Sequence, residues 1–477
     1  MSQICRPAYD SDAIRAAEAP LLATLPDHAL MQRAAVGLAR VCAQLLGRVY
    51  GARVVLLVGS GNNGGDALYA GAWLARRGAA VVAVATGNRV HEGGRDALLG
   101  AGGRLGGVEA LDSADLVLDG LVGIGASGRL RGDTADLVSA LNSSAALIVA
   151  VDVPSGVDAS SGRVAGAAVR ADVTVTFGAW KPGLFIDPGA AYAGSVELID
   201  VGLDLPPSAT QLLDDAGMAA LLPAPVGDVT KYTRGVLGVA AGSDRYPGAA
   251  VLAVSGALAA GPGMVRYAGG AAVSQRVLDH FPEVVVAPEI ASARVQAWVV
   301  GSGLGEEDDA AAAVRAVLAT DVPVLVDADG LRTIREHPEL LRRGQPVVLT
   351  PHAGELSRLT GEDRASIEAD RLRAVRDAAD RFGAVVLLKG STTVIAAPGG
   401  ETRINTTGSP WLGTAGTGDV LSGAIGAYLA QGLGALDAAA VGAYVHGRAA
   451  QLATAGGVPL RSGTLATSWH DAVRSIR

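Results

Sequence analysis

The chain has 477 residues, a length that suggests two large domains at about 100–200 residues per domain. Hydrophobic residues make up 49% and charged residues 18%, a composition that excludes disorder as the main state. The formal net charge of −8 argues against a general nucleic-acid binder. Cys5 and Cys42 are the only cysteines, so neither a disulfide framework nor a cysteine zinc site is expected, and the compartment is predicted to be reducing and cytoplasmic.

The sequence predicts no secretory signal and no membrane span. The first twelve residues contain Arg6, Asp10 and Asp12 and lack the apolar run of a signal peptide. Tyr246–Val265 is uncharged and long enough to cross a bilayer, but two prolines and several glycines interrupt it. We therefore expect a buried helix of a soluble domain there.

In the first half of the chain, apolar β-rich runs alternate with helical patterns. This alternation is typical of a parallel sheet that is covered on both faces. Asp27 is predicted to cap a helix that runs to about Leu46. The predicted strands are Val54–Val58, Val81–Ala85, Leu116–Leu118, Leu147–Val151, Val173–Phe177 and Val196–Val201, and the predicted helices include Asp66–Arg77 and Thr134–Leu141.

A proline-rich stretch near Leu203–Asp228 predicts a boundary, after which the α/β pattern begins again. We predict domains at 1–210 and 229–477, with a linker at 211–228. The predicted strands of the second half are Val236–Ala240, Ala297–Gly301, Val322–Val326, Val347–Leu349, Val385–Leu388 and Thr393–Ala396, with antiparallel pairing near Thr393–Ile404. The predicted helices are Ala249–Ala260, Ala310–Ala319, Ser366–Phe382, Gly418–Ala430 and Leu436–Leu452.

The first strand of the first half leads into a glycine-rich turn, Gly59–Asp66, and then into a helix. Such a turn directs backbone N–H groups and the positive end of the helix dipole towards one place, which is suited to a phosphate. The spacing is neither a dinucleotide Gly-x-Gly-x-x-Gly nor a Walker loop with lysine. An ordinary tight turn is the alternative, which the four glycines, two asparagines and closing aspartate disfavour.

Acids follow two further strands of the same sheet. Asp119 ends one strand, and Asp152 and Ser155 follow another. Because ligands of open α/β sheets bind outside the carboxyl ends of the strands, these side chains are expected to converge on Asn62–Asp66. An acid beside a phosphate indicates a bound cation or an acid–base role. Helix capping is the alternative for any one of these aspartates.

In the second half, Ala415–Gly423 opens a long helix with the sequence Ala-Gly-Thr-Gly-Asp. Backbone N–H groups at a helix start stabilise a phosphoryl group in transfer, and Asp419 is placed to accept a proton from an attacking hydroxyl. Three strand ends accompany this motif: Leu388–Thr393 with Lys389, Thr350–Glu355 with His352, and Gly301–Gly305. His352 taken alone would more often be a structural histidine.

The first-half motifs resemble the NAD(P)H-hydrate epimerase domain, which has a Rossmann-like fold. The resemblance rests on Asn62–Asp66, Asp119–Leu121 and Val151–Gly156, and the Leu30–Ala35 helix is similar to the N-terminal helix of that family. It implies binding of hydrated NAD(P)H and K⁺, with Asp152 as a catalytic proton shuttle at the hydrated ring. It further implies that the hydrate contacts Asn62, Asn63, Gly64, Gly65, Asp66, Gly123, Ile124, Gly125, Ala126, Ser127, Gly128, Arg129 and Asp152, and that Asn63, Asp119 and Ser155 ligate K⁺.

The second-half motifs resemble the ribokinase-like, ADP/ATP-dependent NAD(P)H-hydrate dehydratase domain. Further similar segments are Lys231–Gly235, Gly242–Ala250 and Val326–Gly330. The resemblance implies phosphorylation of the C6 hydroxyl by ADP or ATP with Mg²⁺, followed by loss of phosphate. It also implies that the hydrate contacts Ala250, Gly303, His352 and the catalytic Asp419, and that the adenine nucleotide binds Lys389, Gly390, Ser391, Thr392, Thr393 and Gly418.

The fusion of both halves resembles the bifunctional NAD(P)H-hydrate repair family over residues 1–210 and 229–477. The fold class expected is therefore α/β, with an N-terminal Rossmann-like three-layer domain and a C-terminal ribokinase-like domain. The expected partners are hydrated NADH or NADPH and an adenine nucleotide, without nucleic acid or membrane, and a homo-oligomer is expected. Two alternatives stay open: a ribokinase-type vitamin or sugar kinase with an accessory nucleotide-binding domain, and a nucleotide-sensing or scaffold protein without activity.

Overall fold

The computed structural model describes residues 4–87, 89–125, 128–305 and 308–477 and divides into two compact units. One unit is Pro7–Ser208, and the other is Ala209–Arg477 together with the N-terminal residues up to Arg6. The interval 211–228, predicted as a linker, contains the end of a strand and a helix, Asp215–Leu221.

The N-terminal unit is built from one parallel sheet with helices on both faces. The chain begins with a short strand, β1 (Arg6–Ala8). The helices are α1 (Ser11–Thr24), α2 (Ala29–Leu46), α3 (Asn62–Arg76), α4 (Glu92–Gly100), α5 (Asp133–Asn142) and α6 (Ala190–Ala193). The strands of the sheet are β2 (Arg53–Val58), β3 (Ala80–Ala85), β4 (Arg104–Leu105), β5 (Leu116–Gly120), β6 (Leu147–Val151), β7 (Val173–Phe177) and β8 (Ser195–Ile199).

Alternate residues of these strands enter two separate cores. Val54, Leu56 and Val58 of β2 pack with α2 and α3, whereas Val55 and Leu57 pack with α5. The strand order is β4-β3-β2-β5-β6-β7-β8, and every pairing is parallel. The predicted three-layer α/β fold is confirmed. The order reverses between β2 and β5, where an open sheet leaves a ligand crevice at its carboxyl edge.

The second unit contains a larger mixed sheet. Its strands are β9 (Thr210–Leu212), β10 (Val236–Ala240), β11 (Met264–Tyr267), β12 (Val285–Val286), β13 (Ala297–Val300), β14 (Val324–Val326), β15 (Val347–Leu349), β16 (Val385–Leu388), β17 (Thr393–Ala396) and β18 (Thr402–Asn405). Its helices are α7 (Asp215–Leu221), α8 (Pro247–Ala259), α9 (Ala271–His280), α10 (Asp308–Leu318), α11 (Gly330–Glu336), α12 (Ala353–Thr360), α13 (Arg364–Ala369), α14 (Arg371–Phe382), α15 (Thr417–Ala430), α16 (Ala435–Ala453) and α17 (Ser462–Ile476).

The eleven-stranded order is β1-β9-β18-β17-β16-β15-β14-β13-β10-β11-β12. From β16 to β12 all neighbours are parallel, so β10, β13, β14, β15 and β16 end at the same edge. The hairpin pairs of β16 with β17 and of β17 with β18 are antiparallel, as predicted for Thr393–Ile404. Helices α8, α15, α16 and α17 share one apolar core with β10 and β13.

Three predicted helix boundaries are wrong. Helix α2 is preceded by His28, whose backbone is left-handed (φ 62°), and the side chain of Asp27 does not cap it. The predicted helix 366–382 is two helices, because the extended backbone of Asp370 breaks it and the Asp370 side chain caps the second one. Helix α3 begins at Asn62, four residues before the predicted start.

The apolar stretch at 246–265 forms helix α8, which has 13 residues, followed by β11. None of the described helices combines the length and apolar character that crossing a bilayer requires.

Candidate active sites

The predicted phosphate turn of the N-terminal unit is the first turn of α3. Gly61 precedes the helix, and the N–H of Gly65 is the first to bond back, to the carbonyl of Gly61. The N–H groups of Asn62, Asn63 and Gly64 have no acceptor within the helix, as is usual for a first turn. Gly65 has no room for a side chain, since a Cβ there would lie 2.8 Å from Met31 Sδ and 3.0 Å from the His91 ring.

Asn63, Asp119 and Ser155 meet around the backbone of Val122. Asn63 Nδ2 donates to the Val122 carbonyl (3.1 Å), and the Val122 N–H donates to Ser155 Oγ (3.1 Å). Ser155 Oγ donates to Asp119 Oδ1 (2.6 Å), and the Ser155 N–H donates to Asp119 Oδ2 (2.8 Å). Burial raises the pKa of Asp119 to about 6, although these hydrogen bonds act in the opposite direction.

Asp152 directly follows β6 and has a left-handed backbone (φ 67°), an uncommon conformation for a residue other than glycine. Its Oδ1 accepts hydrogen bonds from Lys181 Nζ (2.7 Å), the Phe177 N–H (3.1 Å) and Thr176 Oγ1 (3.2 Å). No described residue donates to its Oδ2. One carboxylate oxygen is therefore held in place and the other is left for a ligand.

Lys181 was missed by the sequence analysis. It is buried, with 1% of its side chain exposed, and its ammonium also donates to Thr176 Oγ1 (2.8 Å) and to the Phe177 carbonyl (3.1 Å). A buried ammonium requires a partner of opposite charge, which Asp152 supplies. The available signal was a lone lysine four residues beyond the end of β7, at the same carboxyl edge.

Asp66 lies in the first turns of α3 and is almost completely buried. Burial raises its pKa well above the usual value, and the negative charges of Asp152 and Glu18 add to this effect. The site thus places Asp66 and Asp152 close enough to influence each other electrostatically.

The predicted dinucleotide loop 123–129 is described in part, because Ala126 and Ser127 lie outside the described residues. A Cβ on Gly123 would lie 3.0 Å from Asn63 Oδ1, so this end of the loop adjoins the Asn63 cluster. The Ile124 carbonyl accepts a 2.8 Å bond from Arg15 of α1. Gly125, Gly128 and Arg129 are exposed.

In the second unit, a buried ion pair joins the ends of β14 and β16. Lys389 Nζ lies 2.8 Å from Asp327 Oδ1 and 3.6 Å from Glu355 Oε2. Burial disfavours the charge of Lys389, but Asp327 and Glu355 outweigh it and the pKa of Lys389 is raised. A Cβ on Gly418 would lie 3.5 Å from Lys389 Nζ, so the ammonium adjoins the first turn of α15.

Asp419 is the third residue of α15, and Gly416 with a left-handed backbone (φ 87°) precedes the helix. Burial raises the pKa of Asp419 to about 6, and the charge of Asp327 contributes in the same direction. A hydrogen bond with Ser302 and the charge of Lys389 oppose the shift. Asp419 is thus a partly buried carboxylate beside a cation and in the first turn of a helix.

The predicted nucleotide segment, Lys389–Thr393, is the turn between β16 and β17. Arg371, the first residue of α14, was missed by the sequence analysis. Its Nη2 donates to the carbonyls of Lys389 (3.0 Å), Leu388 (3.2 Å) and Thr392 (3.3 Å). This buried guanidinium therefore fixes the backbone of the turn. No local sequence pattern predicts a contact between residues that are up to 21 positions apart.

His352 has a structural part as the N-cap of α12. Its Nδ1 accepts from the Glu355 N–H (3.1 Å), and Glu355 Oε2 accepts from the His352 N–H (2.8 Å), which together form a capping box. The backbone of His352 forms a parallel bridge with Lys389. Its side chain is half exposed, so the ring borders the cluster around Lys389.

Ala250 and Gly303 both adjoin the start of α8, but they differ in exposure. Gly303 is left-handed (φ 65°), and a Cβ there would lie 2.5 Å from the Cβ of Ala249. Ala250 has no exposed surface and packs beneath Gly242. Of the neighbours Ala249 and Ala250, it is therefore Ala249, which is partly exposed, that faces Gly303.

Within the described part of the chain, no group of three or more His, Cys, Asp or Glu side chains is arranged to hold a metal ion. The Asn63–Asp119–Ser155 cluster has a different composition, since it offers one carboxylate with neutral oxygen atoms.

Family models match both units. The model described as YjeF-related protein N-terminus matches residues 27–183, and the NAD(P)H-hydrate dehydratase model matches residues 237–471. A bifunctional NAD(P)H-hydrate repair enzyme of Mycobacterium leprae is 51% identical to the chain, with 98% of each chain covered. The corresponding enzyme of Salinibacter ruber is 35% identical, with 94% of this chain and 92% of the relative covered.

Solved structures resemble the second unit. The ADP/ATP-dependent NAD(P)H-hydrate dehydratase of Bacillus subtilis, co-crystallised with ATP and Mg²⁺, is 30% identical with a TM-score of 0.51, and covers 55% of this chain and 98% of its own. A ribokinase-like superfamily protein of Enterococcus faecalis has the same TM-score at 21% identity and covers 57% of this chain and 98% of its own, which shows the fold alone. The predicted ribokinase-like fold is confirmed. Since the match to the Mycobacterium leprae enzyme spans both units, the chain belongs to the family of bifunctional NAD(P)H-hydrate repair enzymes.

Proposed function

We propose that the chain repairs hydrated NADH and NADPH in two steps. The N-terminal unit interconverts the R and S epimers, and the second unit dehydrates the S epimer with ADP or ATP. The observation that carries this proposal is a repeated arrangement of groups. Each unit places an aspartate and a lysine at the carboxyl edge of its parallel strands: Asp152 with Lys181, and Asp419 with Lys389. In each unit a glycine-rich sequence also opens a helix.

In the epimerase site, the first turn of α3 and the described part of loop 123–129 hold the dinucleotide. The unpaired N–H groups of Asn62, Asn63 and Gly64 suit its diphosphate. Asp152 takes up and returns a proton while the C6 hydroxyl of the hydrate inverts. Lys181 fixes the orientation of the carboxylate, which leaves Oδ2 towards the ring.

A potassium ion fits the cluster of Asn63, Asp119 and Ser155. Asp119 is completely buried and its hydrogen-bond donors are neutral, so the site lacks a positive charge among the described residues. Carboxylate, amide and hydroxyl oxygens are the donors that hard cations prefer. When bound, K⁺ would supply a positive charge beside Asp119 and favour the nearby diphosphate.

In the dehydratase site, Asp419 accepts the proton of the C6 hydroxyl as that oxygen attacks the terminal phosphoryl group of the nucleotide. The N–H groups at the start of α15 and the Lys389 ammonium stabilise the charge on the transferred group. The ring nitrogen then expels phosphate from C6, and loss of the C5 proton restores the dihydronicotinamide. Residues Lys389–Thr393 and Gly418 hold the nucleotide, and Gly303, His352 and the segment Ala249–Ala250 border the hydrate.

Magnesium fits this site through the nucleotide. Mg²⁺ is usually bound by one or two carboxylates together with substrate phosphates and water, and it neutralises phosphate charge. Asp327 and Asp329 act electrostatically on Asp419, so acidic groups are close to the position where the phosphates are expected. An all-protein metal cage is absent from the described residues, which is consistent with an ion that arrives with the nucleotide.

The test is to incubate purified protein with both epimers of hydrated NADH, with and without ADP and Mg²⁺. We expect both epimers to be converted to NADH, with one free phosphate for each NADH, only when nucleotide is present. A stable phosphorylated product would instead indicate a ribokinase-type kinase. The absence of any turnover would indicate a sensing or scaffold protein.

We further propose a cytoplasmic location and a homo-oligomeric state. Both cysteines, Cys5 and Cys42, are free and buried, which suits a reducing compartment. Light scattering of the purified protein tests the oligomer, and a mass of one chain would contradict it.

A further inference from the structure

Helix α1 carries a carboxylate on its apolar face. Ile14, Glu18 and Leu21 are spaced four and three residues apart and therefore share one side of the helix. Ile14 is buried in a cluster with Ala179, and Leu21 packs in the cluster that includes Phe177. Glu18 lies between these two contacts, on the side of α1 that packs towards the segment from Phe177 to Lys181.

That segment is the one that holds the catalytic Asp152. The Phe177 N–H and Lys181 Nζ both donate to Asp152 Oδ1. The charges of Asp152, Lys181 and Arg15 act on Glu18, and the charge of Glu18 acts on Asp66. Burial raises the pKa of Glu18, Asp152 adds to the shift, and Lys181 and Arg15 oppose it. Glu18 thus belongs to the same electrostatic cluster while remaining partly exposed.

Arg15 attaches the same helix to the predicted substrate loop, because its Nη2 donates to the carbonyl of Ile124 (2.8 Å). Helix α1 therefore contacts the loop through Arg15 and the segment from Phe177 to Lys181 through Ile14 and Leu21. The epimerase-type family match begins at residue 27, after α1 has ended at Thr24. Neither the match nor the sequence analysis assigns this helix a part in catalysis.

Inversion at C6 requires proton transfer on both faces of the ring. A hydroxyl that leaves one face must gain a proton, and water that adds to the other face must lose one. Asp152 is held by an ammonium and suits the role of acceptor. A carboxyl group whose pKa burial raises suits the role of donor, and Glu18 is such a group beside Asp152.

We propose that Glu18 is the second proton-transfer group of this site and acts opposite Asp152. This proposal rests on the proposed epimerase function. In one direction, the ring nitrogen lone pair forms the C6=N1 bond as the C6–O bond breaks, and the departing oxygen takes the Glu18 proton and leaves as water. Water then bonds to C6 from the other face, the C6=N1 π electrons return to nitrogen, and Asp152 takes the released proton. In the reverse direction the two carboxyl groups exchange roles.

The test compares Glu18→Gln with Glu18→Asp and with Glu197→Gln, a control at an exposed position of the same unit. Exchange between the epimers is followed by chromatography, and nucleotide-dependent dehydration of the S epimer in the same samples controls for the activity of the second unit. A thermal unfolding scan of each variant reports whether the N-terminal unit is folded. We expect Glu18→Gln to lower kcat for epimerisation by about 10²-fold or more, with dehydration unchanged. We expect Glu18→Asp to recover part of the rate and Glu197→Gln to match wild type.

The pH profile separates proton transfer from a structural effect. Wild-type epimerisation should fall at high pH as Glu18 ionises, and Glu18→Gln should lack that limb. An unchanged kcat in Glu18→Gln, or a change in KM alone, would overturn the inference. Failure of the wild-type protein to exchange the epimers would instead reject the proposed epimerase function.

Discussion

Lys389 Nζ lies 2.8 Å from Oδ1 of Asp327, a fully buried carboxylate whose other oxygen accepts a 2.6 Å hydrogen bond from Ser422 Oγ. Asp327 directly follows β14, Lys389 directly follows β16 and Ser422 belongs to α15, so these three residues connect three elements of the dehydratase site. Burial alone would raise the pKa of Asp327, but the charge of Lys389 and the hydrogen bonds lower it.

Removal of Asp327 should therefore destabilise the second unit. Asp327→Ala leaves the Lys389 ammonium without its nearest counter-charge, and breaking a buried pair in this way costs about 3–5 kcal/mol. Urea unfolding of the full chain measures the change. Asp471→Asn, which removes an exposed pair with Arg474, should cost less than about 1 kcal/mol and serves as the control. Equal effects of the two substitutions would contradict the assignment of a buried pair.

Arg371 should act on nucleotide binding without contacting the reacting atoms. Arg371→Met removes the guanidinium that holds the carbonyls of Leu388, Lys389 and Thr392, so the turn loosens. We expect KM for ADP or ATP to rise by about tenfold, the equivalent of roughly 1.4 kcal/mol, with a smaller change in kcat. Steady-state kinetics at varied nucleotide concentration measures both. Arg474→Met, at an exposed position, should leave them unchanged.

The dehydratase should lose activity at acidic pH. Asp419 must be ionised to accept the hydroxyl proton, and its pKa is raised to about 6 by burial and by the charge of Asp327. The value of kcat/KM should therefore rise with pH through about 6 and then level off. Asp419→Asn should lower the rate by about 10²–10⁴-fold and remove this limb. A wild-type profile that stays flat down to the usual pKa of an aspartate would contradict the role of Asp419.

Potassium should stabilise the N-terminal unit through Asp119. Wild-type protein should show a higher Tm in KCl than in choline chloride of equal ionic strength, because a bound ion favours the folded state. Asp119→Asn keeps the shape of the side chain but removes its charge, so the difference between the two salts should disappear. Differential scanning calorimetry checks this. An equal response of the wild type to both salts would argue against a cation at this cluster.

The short strands β1, β4, β9, β11 and β12 were not predicted from the sequence. Most of the other strands were, and Val173–Phe177 and Val236–Ala240 coincide with β7 and β10. Their apolar runs are long and bounded by clear turn residues, so the local signal is strong. The convergence of Asn63, Asp119 and Ser155 also followed from the rule that parallel strands end at one edge. Helix α3 begins earlier than predicted, at Asn62, because its first turn contains two glycines, Gly64 and Gly65, which carry little helical signal in the sequence.

Lys181, Arg371 and Glu18 were not predicted, and the reason is the same for each. Each acts through contacts that depend on the tertiary arrangement, such as the approach of Lys181 to Asp152 across 29 residues. No motif of the sequence marks Glu18, because its position in the site depends on which residues flank it on the packed face of α1. Only the three-dimensional arrangement reveals these partners.

We propose that each unit contains one complete site, with Asp152 serving one reaction and Asp419 the other. Asp152→Asn and Asp419→Asn can be tested separately and as a mixture on both epimers of hydrated NADH with ADP and Mg²⁺. We expect Asp152→Asn to convert the S epimer and then to stall at the uncatalysed rate of epimer exchange. We expect Asp419→Asn to form almost no NADH, and the mixture to convert both epimers fully. A mixture no better than Asp152→Asn alone would contradict the claim.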